Sequence, residues 1–267
     1  MSGFDKEWLK LREPADRQAR SEPILARLRQ YLDPLPEPHV ILDVGCGTGS
    51  TYRTLSQELP RSNWKLLDYE SVLLEEAQRL IGLQDNIEFH CQDLNSLDET
   101  LLNDVSIVTA SALFDLCSAD FCDRFVARLA DRRIGLYAAL TYDGVMEWSI
   151  RHPLDAQIAA DFNLHQRFDK GFGGALGPTA AGHLADLCEA SGFSVEIADS
   201  PWHLGPSSAK LQKEFLAGLQ EPIHEIGNVN ELEFKTWLDF RHSHIDLDGS
   251  LCVVGHTDLL ALPRSEM

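Results

Sequence analysis

Three glycines at alternate positions, flanked by carboxylates, are the residues of this chain whose spacing most directly implies chemistry. In VILDVGCGTG the apolar run Val40–Val44 is interrupted only by Asp43, and Gly45, Gly47 and Gly49 follow before a helical stretch. A strand turning this sharply into a helix needs residues without a Cβ wherever a ligand approaches the backbone. Asp68 in LLDYE ends the next strand-like run, roughly 20 residues beyond, where a carboxylate accepts hydrogen bonds from ribose hydroxyls. Asp93 in FHCQDL ends the third run, where its side chain and the amide of Leu94 can hold an adenine edge. A tight turn or a strand-end cap accounts for any one of these residues. All of them in register after three consecutive strands point to a nucleoside ligand. The third glycine of a dinucleotide fingerprint is missing, because Ser50 stands in its place.

A second group of candidates lies later in the chain. Leu154, Ile158 and Phe162 form a helical stripe that His165 and Asp169 continue. As i, i+4 neighbours, the Asp169 carboxylate can orient the His165 imidazole and make it a general base, with Asn163, Gln166 and Lys170 as substrate contacts. The competing reading is a hydrogen-bonded histidine near a helix C-terminus. Gly171, Gly173 and Gly174 either hinge a loop or end that helix. Asp115, just past the fourth strand, either touches substrate or adds polarity at a helix entry. Phe114, Trp148, Phe172 and Trp202 either shape an apolar acceptor pocket or fill the core. Arg241-His242-Ser243-His244 reads as a helix-end loop rather than a metal site.

The elements that must position these residues alternate. Strands are expected at Val40–Val44, Trp64–Leu67, Ile87–His90, Val105–Ala110 and Ile134–Thr141, with helices over 51–59, 71–82 and 119–130. That pattern predicts an α/β fold with a mostly parallel sheet covered on both faces. Ahead of it, Pro14 suits a first helical turn, and Ile24, Leu25, Leu28 and Leu32 recur at helical spacing before Pro34, Pro36 and Pro38. After it, helices are expected at Pro153 to about Phe168, 179–191, 207–225 and 230–241, and strands at Phe193–Ala198 and Ser250–His256. The chain is read as a single domain: an N-terminal helical segment (1–38), a ligand-binding core (39–142), a helical lid insertion (143–182) and a C-terminal part (183–267).

Composition narrows the function classes. The chain has 267 residues, 44% hydrophobic and 24% charged, with a formal net charge of −19. Such a charge repels phosphate backbones and anionic membranes, so nucleic-acid and membrane partners are disfavoured and a small-molecule substrate is expected. The six cysteines form no CxxC pair and suit buried thiols in a reducing cytosol. No signal-peptide pattern or membrane-length apolar run is present, so the expected location is cytoplasmic, with no metal; a homodimer stays open.

These motifs resemble the class I S-adenosylmethionine-dependent methyltransferases. LDVGCGTG is similar to that family's first motif, LLDYE to its ribose-binding strand end, CQDL to its adenine position, and VSIVTASALFDL to its fourth strand and the loop facing the methyl group. The resemblance covers residues 39 to about 141, and the last two strands fit at 193–198 and 250–256. It implies a Rossmann-like seven-stranded sheet with an antiparallel last strand. It also implies S-adenosyl-L-methionine as cofactor, touching Asp43, Gly45, Gly47, Gly49, Asp68, Asp93, Leu94, Ala110 and Ser111. LREPAD, HPLD, FNLHQ and DKGFGGALGP are similar to a bacterial subgroup, which supplies no acceptor. Arg12, Asp16 and Arg20 share a helical face, either as a solvated ion-pair ladder or with Arg20 at the cofactor carboxylate. The rivals to methyl transfer are an NAD(P)-dependent oxidoreductase of Rossmann topology and a non-catalytic S-adenosylmethionine-binding protein. The intact glycine run favours an enzyme.

Overall fold

The computed structural model describes residues 5–264. Two helices, α1 (Lys6–Ala19) and α2 (Glu22–Leu32), precede β1 (His39–Val44), α3 (Ser50–Leu55), β2 (Ser62–Asp68) and α4 (Ser71–Ile81). Then come β3 (Ile87–Cys91), β4 (Val105–Ser111), α5 (Ala119–Arg132), β5 (Gly135–Trp148), α6 (Asp155–His165) and α7 (Ala180–Ala190). The chain closes with β6 (Phe193–Asp199), β7 (Trp202–Leu204), α8 (Ala209–Gly218), α9 (Gln220–Ile226), α10 (Glu231–His244) and β8 (Cys252–Pro263).

Strands β1 to β5 are parallel in the order β3-β2-β1-β4-β5, and β8 joins β5 antiparallel with β6 beyond it. Helices cover both faces, as the apolar strands require. On one side α5 and α7 bury Phe121, Phe125, Leu129, Leu184 and Cys188. On the other, α2, α3 and α4 bury Leu25, Leu28, Tyr52, Leu55 and Leu74. A third cluster joins α6, α8, α9 and α10 to the far ends of β5 and β8 through Ile158, Leu216, Ile223 and Trp237.

Four boundaries differ from the sequence-based expectation. Strand β5 runs on to Trp148, into the stretch assigned to the insertion, because Met146 and Trp148 alternate inward and pair with Val254 and Cys252. A register shift between Tyr142 and Met146, at Gly144, breaks the alternation that would have announced it. Strand β8 continues to Pro263 through Asp258, a buried carboxylate that accepts from the Leu140 amide at 2.9 Å, Tyr137 Oη at 2.9 Å and the Ser21 amide at 3.0 Å. The eighth strand, β7, pairs with the first half of β8 while β6 pairs with the second, Ser200-Pro201 separating them. Helix α1 starts at Lys6 under an Asp5 cap, so Pro14 falls inside it and not in its first turn. Trp8, Leu11, Ala15 and Ala19 form the stripe that holds it down.

No helix among the described residues is long and apolar enough to cross a membrane. Of the six cysteines, Cys91 is exposed and the others are buried.

Candidate active site

The carboxyl ends of the parallel strands open into a cleft of about 660 Å³. Its floor is the turn after β1. Gly45, Gly47 and Gly49 have φ of 64°, 53° and 79°, the left-handed region that glycine adopts without steric cost. The Cys46 amide donates to the Leu67 carbonyl at 3.0 Å, and the Gly47 amide donates to Asp68 Oδ2 at 2.8 Å, so β2 fixes the turn. Asp68 Oδ1 accepts from the Glu70 amide at 3.0 Å. Each oxygen retains a lone pair for a ligand hydroxyl. Burial pushes this carboxyl above its ordinary range, opposed by the amides of Glu70 and Gly47.

Past β3, Asp93 caps a single 3-10 turn by accepting from the Asn95 amide at 2.9 Å, with Leu94 buried behind it. Past β4, Ser111, Ala112 and Leu113 close the far side, Ala112 in the left-handed region at φ 52°. Gly45, Gly47, Asp68, Asp93, Leu94 and Ser111 therefore share one cleft. Asp43, Gly49 and Ala110 stand behind it. Asp43 accepts from Thr109 Oγ1 at 2.8 Å, and burial raises its carboxyl to about 7. Gly49 packs on α4, where a Cβ would lie 2.7 Å from Ile81 Cδ1.

The opposite side of the cleft comes from α1, α6, α9 and the glycine-rich loop. Helix α6 ends at His165, so Asp169 is not its helical neighbour. Asp169 Oδ1 accepts from the Gly171 and Gly173 amides, at 2.7 and 3.0 Å, and shapes the loop. The carboxylate at His165 is Glu225, whose Oε2 lies 3.0 Å from Nε2, while Lys170 Nζ lies 3.4 Å from Nδ1. Burial lowers the Lys170 ammonium, partly offset by Glu225 and Glu221. His165, Asp169, Lys170, Glu221 and Glu225 all face the cleft. The loop reaches the Asp93 side as well, since Asn95 Nδ2 donates to the Gly171 carbonyl at 3.2 Å.

The remaining candidates divide between the cleft and the core. Asn163 holds Tyr142 Oη at 2.7 Å and the Gly144 carbonyl at 2.9 Å, and neither it nor Gln166 faces the cleft. Of the four aromatics, Phe172 reaches the cleft and packs on Phe121, whereas Phe114, Trp148 and Trp202 are core. Asp115 is buried beyond the cleft, and burial raises its carboxyl to about 6 against its own amide, the Arg12 charge and the Tyr142 amide. Arg12, Asp16 and Arg20 form no solvated ladder. All three are buried, and Arg12 and Asp16 also line the cleft; Arg12 makes a two-pronged contact with Asp16 at 2.8 and 3.1 Å, and Trp202 Nε1 donates to Asp16 at 2.9 Å. Arg241 is bound to Asp155, and no metal-binding group of three His, Cys, Asp or Glu occurs among the described residues.

Glu221 and Glu225 were not anticipated. The one available signal is the i, i+4 spacing of these acids in QEPIHEI, which puts both on one side of α9.

Residues 41–132 match the methyltransferase domain family. The chain is 27% identical over 123 residues to a malonyl-[acyl-carrier protein] O-methyltransferase of Bacillus cereus, covering 46% of this chain and 41% of that protein. It is 27% identical over 84 residues to the same-named protein of Halalkalibacterium halodurans, covering 31% of each. The matches thus span less than half the length of these curated relatives. In structure, the chain is similar to the cyclopropane synthase MmaA2 of Mycobacterium tuberculosis, with a TM-score of 0.54 at 14% identity over 97% of this chain and 94% of that one. The YcgJ protein of Bacillus subtilis gives 0.53 at 14% identity over 92% and 100%. The family match and the shared fold support a class I S-adenosylmethionine-dependent methyltransferase.

The cleft fits that family's cofactor on its own geometry. The turn is free of Cβ atoms at Gly45 and Gly47, and the Asp68 oxygens and the Asp93–Leu94 pair face the same space.

Proposed function

We propose that this chain transfers a methyl group from S-adenosylmethionine to a small-molecule acceptor. The observation that carries this reading is the convergence of Gly45–Gly47, Asp68 and Asp93–Leu94 on one cleft, in the order an adenosyl ligand requires. Bound there, the cofactor supplies an electrophilic methyl group on a sulfonium that leaves as a neutral thioether. The residues of the chain then bind and align. Asp68 accepts the ribose hydroxyls, Asp93 and the Leu94 amide take the adenine edge, and Ser111 borders the methionine end. Asp43, Gly49 and Ala110 support these contacts from behind. Orientation of this kind supplies roughly 7–11 kcal/mol in favourable cases.

An acceptor that carries a proton must lose it. Glu225 holds the imidazole proton of His165 on Nε2, which leaves Nδ1 as the acceptor beside Lys170. Asp169 keeps the loop bearing Lys170 in place, and Asp115 lies buried in the turn that follows Leu113. A net charge of −19 and a cleft of this size favour a small acceptor over nucleic acid.

Calorimetry with S-adenosylmethionine and with NAD(P)H tests the cofactor, and binding of NAD(P)H alone would reject the reading. Release of S-adenosylhomocysteine with any acceptor excludes a purely binding role.

A further inference from the structure

Two basic side chains other than histidine line the cleft, Arg12 and Lys170, and they differ in how their charge is met. Arg12 is bound to both oxygens of Asp16. Lys170 has no carboxylate in contact among the described residues, and its ammonium meets His165 Nδ1 at 3.4 Å. The acids around it are engaged or solvated. Glu225 Oε2 is at His165 Nε2, and Asp169 Oδ1 accepts from the Gly171 and Gly173 amides. Glu221 and Glu225 are exposed and act on the ammonium only from a distance. An ammonium has three protons to donate, so two remain for a ligand.

The loop that carries Lys170 is tied down at several points. Asp169 and Gly174 bridge across it, and Asn95 Nδ2 donates to the Gly171 carbonyl at 3.2 Å. The Leu176 amide donates to the Cys117 carbonyl at 2.8 Å, which fastens the loop to the turn after β4, where Leu113 and Leu116 line the same cleft. Phe168 lies against the His165 ring with centroids 5.0 Å apart, and Phe172 adds a second aromatic surface to the wall. A fixed cation, a fixed imidazole and apolar faces therefore border one space.

That combination discriminates between acceptors. A protonated amine needs a base beside an anion, and it meets Lys170 as a like charge. A carboxylate is already ionised and leaves the His165–Glu225 pair without a task. A neutral, weakly acidic hydroxyl uses both groups, because it must lose a proton and then carries a negative charge.

We propose that the acceptor is an aromatic or enolic hydroxyl methylated on oxygen, with Lys170 binding that oxygen as it becomes an anion and His165 taking its proton. The inference rests on the methyl-transfer reading above. The hydroxyl proton passes to Nδ1, and an electron pair of the oxygen forms the bond to the methyl carbon. The pair of the broken methyl–sulfur bond stays on sulfur, which leaves as a neutral thioether. Glu225 at Nε2 balances the charge that reaches the ring. Lys170 is then a catalytic residue, since it touches the reacting oxygen.

The test uses the full chain saturated with S-adenosylhomocysteine and the probe 4-nitrophenol, whose phenolate absorbs visible light. The bound probe is expected to ionise about one pH unit below the free one, a roughly tenfold preference for phenolate over phenol. Lys170→Gln is expected to abolish that preference and Lys170→Arg to keep most of it, with the affinity for S-adenosylhomocysteine unchanged by calorimetry. Benzylamine, of similar size, is expected not to displace the probe. An unshifted midpoint, a shift that survives Lys170→Gln, displacement by benzylamine, or no binding of millimolar probe overturns the proposal. With S-adenosylmethionine, preferential methylation of 4-nitrobenzoate over 4-nitrophenol overturns it as well. If the unaltered chain does not bind S-adenosylhomocysteine, the cofactor reading itself fails, which calorimetry shows before any phenol is added.

Discussion

Glu225 Oε2 stands 3.0 Å from His165 Nε2, joining α9 to the last residue of α6 on the side of the cleft that the helices build. His165 is buried while Glu225 stays half-exposed, so the carboxylate keeps its hydration as it fixes the ring. Lys170 approaches the other ring nitrogen from the loop that Asp169 shapes. The imidazole is thereby oriented from two elements, neither of them its own helix.

From this geometry, His165→Ala is expected to lower turnover by roughly 10²–10⁴-fold with cofactor affinity unchanged. Glu225→Gln should lower it by about ten- to a hundredfold, and Asp169→Asn by less. Release of S-adenosylhomocysteine, paired with calorimetry for cofactor binding, separates these effects. A larger loss from Asp169→Asn than from Glu225→Gln would return the orienting role to Asp169.

Gly49 offers a test of packing apart from binding. Its φ is 79°, and a Cβ added at this position would lie 2.7 Å from Ile81 Cδ1, so Gly49→Ala is expected to destabilise by about 2 kcal/mol. Adding Ile81→Ala removes the collision but not the backbone cost. Urea unfolding should therefore show less than additive loss in the double variant, and strict additivity would mean that the two side chains never meet.

Most of the cofactor half was legible because its signals are local. A strand, a glycine turn and an acid after each strand sit within a few residues of one another, and parallel order then brings Asp68 and Asp93 to the same edge. The half built by α6, α9 and the glycine-rich loop was not legible. Glu225 reaches His165 only because α9 folds back on α6 through Ile223 and Ile158, and nothing within 60 residues of sequence announces that contact. Helical spacing suggested Asp169 as the partner, but α6 stops at His165 before the spacing can apply. Arg20 shows the same limit: i, i+4 acids and bases look alike on a wet face and a buried one, until Trp202 and Tyr137 cover them.

Arg241 and Asp155 carry a stability prediction. The guanidinium donates to both Asp155 oxygens, at 2.7 and 2.8 Å, and to the Ile150 carbonyl at 2.7 Å, and it lies 4.7 Å from the Trp148 ring. Removing the carboxylate in Asp155→Ala strands a buried charge and is expected to cost about 3–5 kcal/mol. It also deprives Trp237 Nε1 of its acceptor, now at 2.8 Å. Replacing both partners in Asp155→Leu/Arg241→Met should cost less than Asp155→Ala alone. Denaturant midpoints at a fixed protein concentration decide between them, and equal losses would show that the pair's charge is immaterial.

Asp115 links burial to pH. In the unfolded chain its carboxyl ionises near 3.8, and in the fold burial keeps the proton on to about 6. Between those values the folded state binds more protons than the unfolded one, so this group's contribution to stability falls as pH rises from about 4 to about 6 and is level beyond. The gap corresponds to about 3 kcal/mol. Asp115→Asn keeps the shape and removes the ionisation. The variant is therefore expected to gain on the unaltered chain as pH rises, by up to about 3 kcal/mol at pH 8 relative to pH 4. Other buried carboxyls such as Asp43 contribute a slope of the same sign, but to both proteins, and cancel in the difference. Thermal or urea unfolding of the pair at pH 4, 6 and 8 reads the effect directly, and a difference that stays constant across the three would show that Asp115 is ionised in the fold throughout.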